Sequence, residues 1–103
     1  MIDSNRLEEI MNSVYVSEYI PELLAGIQDI NWPNAERVVS LLRPMHNEVL
    51  PHIKEILKTD DYVWIYWILD QLVNYWPTEF VMEIKDELTI MSHKIDIKEE
   101  LDI

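Results

Sequence analysis

Residues 61–76, DYVWIYWILDQLVNYW, constrain the fold more than any other part of the chain. They hold three of the four tryptophans and three of the five tyrosines. Wound as a helix, the stretch puts Ile65, Ile68, Leu69, Leu72 and Trp76 on one side. Tyr62, Tyr66 and Val73 widen that side in one direction, Trp64 and Tyr75 in the other. Asp70, Gln71 and Asn74 form a polar stripe that Val63 and Trp67 interrupt. A helix apolar nearly all round predicts a buried, central element with the other helices packed about it.

The rest of the chain also reads as helix. With one glycine, Gly26, there is little scope for the tight hairpin turns of an all-β fold. Leu7, Ile10, Met11 and Val14 recur at helical spacing and predict a first helix over residues 4–14, capped by Asp3 or Ser4. A second helix, 18–28, carries Tyr19, Ile20, Leu23, Leu24 and Ile27, with Pro21 in its first turn. Gly26 there marks a weak point or a close approach by another helix. The turn residues Asp29, Asn31 and Pro33 lead to a third helix, 34–43, with Ala35, Val38, Val39 and Leu42 inward and Glu36, Arg37 and Ser40 outward. Pro44 ends it. A fourth opens at Asn47 or Glu48, keeps Pro51 in its first turn and buries Val49, Leu50, Ile53, Ile56 and Leu57. Thr59, Asp60 and Asp61 cap the aromatic helix, and Pro77 separates it from a sixth with Phe80, Val81, Ile84, Leu88 and Met91 on one face. Residues 94–103, KIDIKEELDI, read as an acidic tail, frayed or disordered, behind a single domain of residues 1–93.

The chain partly matches itself at a shift of 30. Ile20-Pro21 falls on Leu50-Pro51, Leu23 on Ile53, Ile27 on Leu57, Trp32 on Tyr62, Ala35 on Ile65, and Leu42 on Leu72. At a shift of 31, Ile53-Lys54-Glu55 falls on Ile84-Lys85-Asp86. Any helical bundle shows some self-match, but the paired Ile-Pro and Leu-Pro helix starts favour a true repeat. Helix pairs that cannot bury their apolar faces alone stack into arrays. The expected fold is therefore all-α, a short HEAT-like α-α superhelix of about six helices with a repeat near 30 residues.

Across residues 18–90, the words QDINWP, PHIKEIL and DDYVWIYWIL resemble a family of small bacterial proteins catalogued as a domain of unknown function. The resemblance implies an all-α, HEAT-like superhelix without an established activity. It implies no catalytic residue. Members of that family carry a longer acidic C-terminal helix, where this chain has KIDIKEELDI.

Charge narrows the partners. Twenty acidic and eight basic side chains give a formal net charge of -12. Such a surface repels nucleic-acid phosphates and anionic membranes and attracts a basic protein surface. Its plain reading is that it keeps the chain in solution. Absence of cysteine excludes disulfides and thiolate chemistry and fits a reducing compartment. The opening MIDSNRLEEI lacks the apolar core of a signal peptide, and no run reaches the ~20 apolar residues of a membrane span. A cytoplasmic protein is expected.

No catalytic constellation emerges. None of Ser4, Ser13, Ser17, Ser40 and Ser92 sits in a Gly-x-Ser-x-Gly elbow, and one glycine cannot build a phosphate-cradling loop. Glu48, His52 and Glu55 would share a helix face and form a weak metal candidate, outweighed by a solvated face. His46 and His93 read as surface residues. The tryptophans read as core with bonded indole N–H groups. Trp67 is the exception, because it shares a side with Asp70, Gln71 and Asn74 and serves as either a bridge between helix layers or an exposed anchor. The expected binding set is Trp67, Asp70, Gln71, Asn74 and Val63, with Glu36 and Arg37 from the third helix. The leading expectation is a non-catalytic protein-binding module with no cofactor. An immunity-type inhibitor of a basic toxin or nuclease is the alternative, and a small metal protein or enzyme using His52 is the second.

Overall fold

The computed structural model describes residues 1–101, with side chains described to Lys94, and is all-α: no strand occurs among the described residues. Asp3 caps α1 (Ser4–Met11), its carboxylate accepting from the Arg6 N–H at 2.8 Å. Leu7 and Ile10 are buried, but Met11 and Val14 are exposed, so the predicted extension to residue 14 fails. The Ser13 hydroxyl accepts from the Tyr15 N–H and turns the chain out of the helix.

A 3-10 turn, Val16–Tyr19, then feeds α2 (Ile20–Ala25), which ends at Gly26, two residues short of the expected boundary. What comes close to Gly26 is not a helix but the N-terminal segment. A Cβ there would lie 2.8 Å from Ile2 Cδ1 and 3.1 Å from the Leu23 carbonyl oxygen. Ile2 is 95% buried as a result (5% exposed). Asn34 holds the same segment from the other side, donating to the Ile2 carbonyl at 3.1 Å and the Ser4 hydroxyl at 3.3 Å. Its φ of 71° is left-handed, a conformation asparagine accepts more readily than most residues. The Arg6 guanidinium pins α1 to α2 through a two-pronged ion pair with Glu22, at 2.6 and 2.7 Å.

α3 (Ala35–Leu42) buries Ala35, Val38, Val39 and Leu42 as expected. Pro44 does not open a loop after it. A 3-10 turn, Arg43–Met45, runs straight into α4 (His46–Ile56). α4 therefore starts earlier than predicted, and Pro51 lies inside it rather than in its first turn. Proline has no N–H to offer the Asn47 carbonyl, but both residues are exposed and water can meet that oxygen.

Asp61 caps α5 (Tyr62–Gln71), accepting from the Trp64 N–H at 3.2 Å. The helix unwinds at Leu72 into a 3-10 turn, Val73–Tyr75, so the expected helix to residue 76 is broken. Ile65, Ile68, Leu72 and Trp76 are buried, and Leu69 is only half-buried. The rest of this helix departs furthest from the expected burial. It is not buried all round: Val63 is 63% exposed, Tyr66 58% and Tyr75 62%. The molecule measures 47 × 29 × 19 Å, and two helices laid side by side already fill 19 Å. No helix in so thin a slab can be covered on every side.

The sixth predicted helix breaks at Ile84 into α6 (Thr78–Glu83) and α7 (Lys85–Leu101). Ile84 and Met91 are buried, with Phe80, Val81 and Leu88 half-buried beside them, so the two helices share the predicted face. The α7 backbone is helical across 94–101, where a tail was expected; residues 102–103 lie outside the described residues. α2 packs on α4 and α4 on α6, forming one layer, while α3 packs on α2. The tryptophan reading holds for Trp64, whose indole N–H donates to the Leu24 carbonyl at 2.9 Å and ties α5 to α2.

Two outcomes are expected. Ile68→Ala, at a fully buried site, should cost about 2–5 kcal/mol in urea unfolding, and Leu69→Ala clearly less, because part of its side chain already meets water. Equal costs would place the buried side of α5 elsewhere. The second outcome concerns pH. Hydrogen bonding from Arg6 holds the Glu22 carboxyl below its usual range, against a smaller opposing effect of desolvation. A lowered carboxylate contributes stability above its unfolded pKa and loses it as pH falls through the folded value. Glu22→Gln should thus lower the urea midpoint slightly at pH 7, as befits a half-exposed pair, and the difference should vanish well below about pH 4.

Candidate partner-binding face

Among the described residues no polar or charged side chain is buried, so groups with binding chemistry lie at the surface. The richest surface is the outer side of α5. Val63, Tyr66, Trp67 and Asp70 follow one another at i, i+3, i+4 and i+7 and form one stripe. Trp67 is half-buried and meets Tyr66 edge to face, ring centres 4.9 Å apart. It backs the stripe, and the exposed aromatic is Tyr66. The sequence reading assigned Tyr66 to the core side. Its spacing to Val63 and Asp70 is the sequence signal for the exposed stripe.

The end of α5 joins α3 through Arg43. Its Nε donates to the Gln71 carbonyl at 3.0 Å, and its guanidinium lies 4.0 Å from the centre of the Tyr75 ring. Glu36, Val39, Ser40, Arg43 and Gln71 line a shared cleft of about 240 Å³. Gln71 also donates from Nε2 to Asp70 Oδ2 at 2.7 Å. The structure thus brings Glu36 and Ser40 of α3 to the Gln71 end of α5, with Asp70 attached. Arg37 does not join them. It pairs with Glu8 of α1 at 2.9 Å and so turns away from α5. Asn74 is exposed in the following 3-10 turn.

The acidic–histidine candidate on α4 does not converge. Glu48 is exposed, and Glu55 is exposed and paired with Lys58 at 3.2 Å. His52 is half-buried and lines, with Glu55, Pro21, Leu24, Ile56 and Trp64, a cleft of about 200 Å³ that Glu48 does not join. No three His, Asp or Glu residues among the described residues are grouped to hold a metal ion. His46, expected at the surface, packs edge-on against Phe80 with ring centres 4.4 Å apart. His93 is exposed beside a groove of about 520 Å³ between α6 and α7, lined by Val81, Met82, Lys85 and Leu88. No helix among the described residues is long and apolar enough to cross a membrane.

Arg43 is the joint of this face. Arg43→Ala should cost about 1–2 kcal/mol in thermal and urea unfolding, from one carbonyl hydrogen bond and one cation–π contact. Arg43→Lys should restore less than half, because an ammonium cannot lie flat on Tyr75 and donate in its own plane to Gln71. Full restoration by lysine would show the stacking to be incidental.

Comparison with known proteins gives one family match: a family model described as a domain of unknown function (DUF5071) aligns with residues 2–102. No curated protein and no solved structure matches.

Proposed function

This chain belongs to the DUF5071 family, and we propose that it is a non-catalytic protein-binding module whose partner face is the outer side of α5 with the adjoining edge of α3. One observation carries the reading. A helix with two buried residues of its own, Ile65 and Ile68, leaves Val63 and Tyr66 in water beside Trp67 and Asp70. Exposed aromatic and aliphatic groups with a polar margin are the composition of a binding hot spot.

A repeat architecture supports the same face. We read α2–α3, α4–α5 and α6–α7 as three stacked helix pairs of a HEAT-like superhelix. The packing of α2 on α4 and α4 on α6 fits stacked first helices, and the self-match at a shift of 30 fits equivalent pairs. Second helices of such pairs line one common face, which is where α3 and α5 meet through Arg43 and Gln71. The absence of cysteine is compatible with a cytoplasmic setting, where disulfides are rare. A net charge of -12 favours the narrower form of the reading, an immunity-type inhibitor of a basic toxin or nuclease.

Site-specific photo-crosslinking in the native host tests the face. A crosslinking residue at position 63 or 66 should give a discrete protein adduct, and one at the exposed Glu79 of α6 should not. Adducts from position 79 with none from 63 and 66 would move the interface off α5.

A further inference from the structure

We infer that Tyr66 and Asp70 form a receptor for an arginine side chain of the partner protein, a reading that rests on the α5 face proposed above. The molecule contains its own template for such a receptor. Tyr19 and Glu22 stand three residues apart, and between them they take Arg6. The carboxylate accepts two guanidinium N–H groups at 2.6 and 2.7 Å, and the guanidinium carbon lies 5.3 Å from the tyrosine ring centre. Arg43 repeats half of the arrangement on Tyr75, at 4.0 Å.

Tyr66 and Asp70 carry the same two groups one helical turn apart, where side chains stand about 5–6 Å from each other at Cβ. Tyr66 is 58% exposed. The Asp70 carboxylate accepts one hydrogen bond from Gln71, at Oδ2, and an ionised carboxylate has room for about three more. Among the described residues, no lysine or arginine pairs with Asp70 or stacks on Tyr66. The sequence around it supplies none: residues 59–84 contain Asp60, Asp61, Asp70, Glu79 and Glu83 but no Lys or Arg. Arg43, the cation on the α3 side, is already taken by Tyr75 and the Gln71 carbonyl.

Charge decides among occupants. Two copies of a chain at -12 repel each other, and a nucleic acid brings no cation, so a basic protein segment is the occupant. Arginine suits the site better than lysine. Its weakly hydrated plane stacks on an aromatic face while its edge donates to a carboxylate. Val63, one turn before Tyr66, gives the partner's neighbouring aliphatic side chain an apolar shoulder.

The probe is a pair of synthetic helical peptides, each with leucines one turn either side of a central arginine or of its neutral isostere citrulline. Each is titrated into the full ¹⁵N-labelled chain and followed by amide shifts and the Trp67 indole signal. The arginine peptide should shift residues 63–70 and bind about tenfold tighter than the citrulline peptide, a difference of about 1.4 kcal/mol. Asp70→Asn should erase that preference. Tyr66→Leu should weaken binding, and Tyr66→Phe should retain it; both residues are outside the buried core, and circular dichroism checks that each variant is folded. If both peptides bind residues 63–70 equally, the face stands and the arginine receptor is overturned. If the arginine peptide shifts Glu79 and Glu83 as strongly as 63–70, or neither peptide shifts 63–70, the receptor is overturned as well, and crosslinking from position 63 reports separately on the face. Sedimentation should give a monomer. A dimer dispersed by Tyr66→Leu would make a second copy the occupant and overturn the proposal.

Discussion

The shortest dimension of the molecule, 19 Å, is about two helix diameters, and most of its other features follow from that. In so thin a molecule each of α1 to α6 keeps at least one residue exposed to water. The buried set includes Leu23 and Leu24 on α2, Val38 and Leu42 on α3, Ile53 on α4, Ile65 and Ile68 on α5, and Ile84 at the α6–α7 break. These residues meet in one continuous apolar cluster without a buried polar side chain among the described residues. Such a core gains its stability from apolar burial alone and carries no buried side-chain chemistry.

The N-terminal end of the slab is closed by a small set of directional contacts. Ile2 fills the space a side chain at position 26 would need. Asn34, held left-handed, grips the Ile2 carbonyl and Ser4. Arg6 and Glu22 fix the angle of α1 on α2. The polar contacts among these lie at the surface, whereas Ile2 is part of the buried core. Their effect is geometric: they cover the open side of α2, so that the buried faces of Leu7, Ile10 and Leu23 stay closed to water.

The middle of the slab is treated differently. α5 is mostly apolar in sequence, yet Val63 and Tyr66 on its outer side lie exposed among the described residues. Its N-terminal end is anchored inward by the Trp64 indole on Leu24, its C-terminal end by Arg43 on Gln71. A helix fixed at both ends presents its outer stripe rigidly. Rigid aromatic surface loses little conformational freedom on binding.

Helix order, caps and inward positions were legible in the sequence because they depend on local chemistry. Asp61 caps α5 and Pro21 sits in the first turn of α2 as their residue types require. Ala35, Val38, Val39 and Leu42 face inward as their spacing demands. Periodicity reports which residues share a side. It does not report how many sides a neighbour covers, so the apolar circumference of α5 read as burial although Val63 and Tyr66 face water. Pro51 and Leu72 show the same limit for boundaries: Pro51 lies inside α4 and the helix of α5 breaks at Leu72, against their local signals. The candidate site divides likewise. Trp67, Asp70 and Gln71 were visible as polar and aromatic neighbours on one wheel. Tyr66 as the exposed aromatic and Arg37 turned toward Glu8 were decided only by tertiary structure, because exposure and ion pairing depend on what stands opposite, and no described side chain covers Tyr66 while Glu8 stands opposite Arg37.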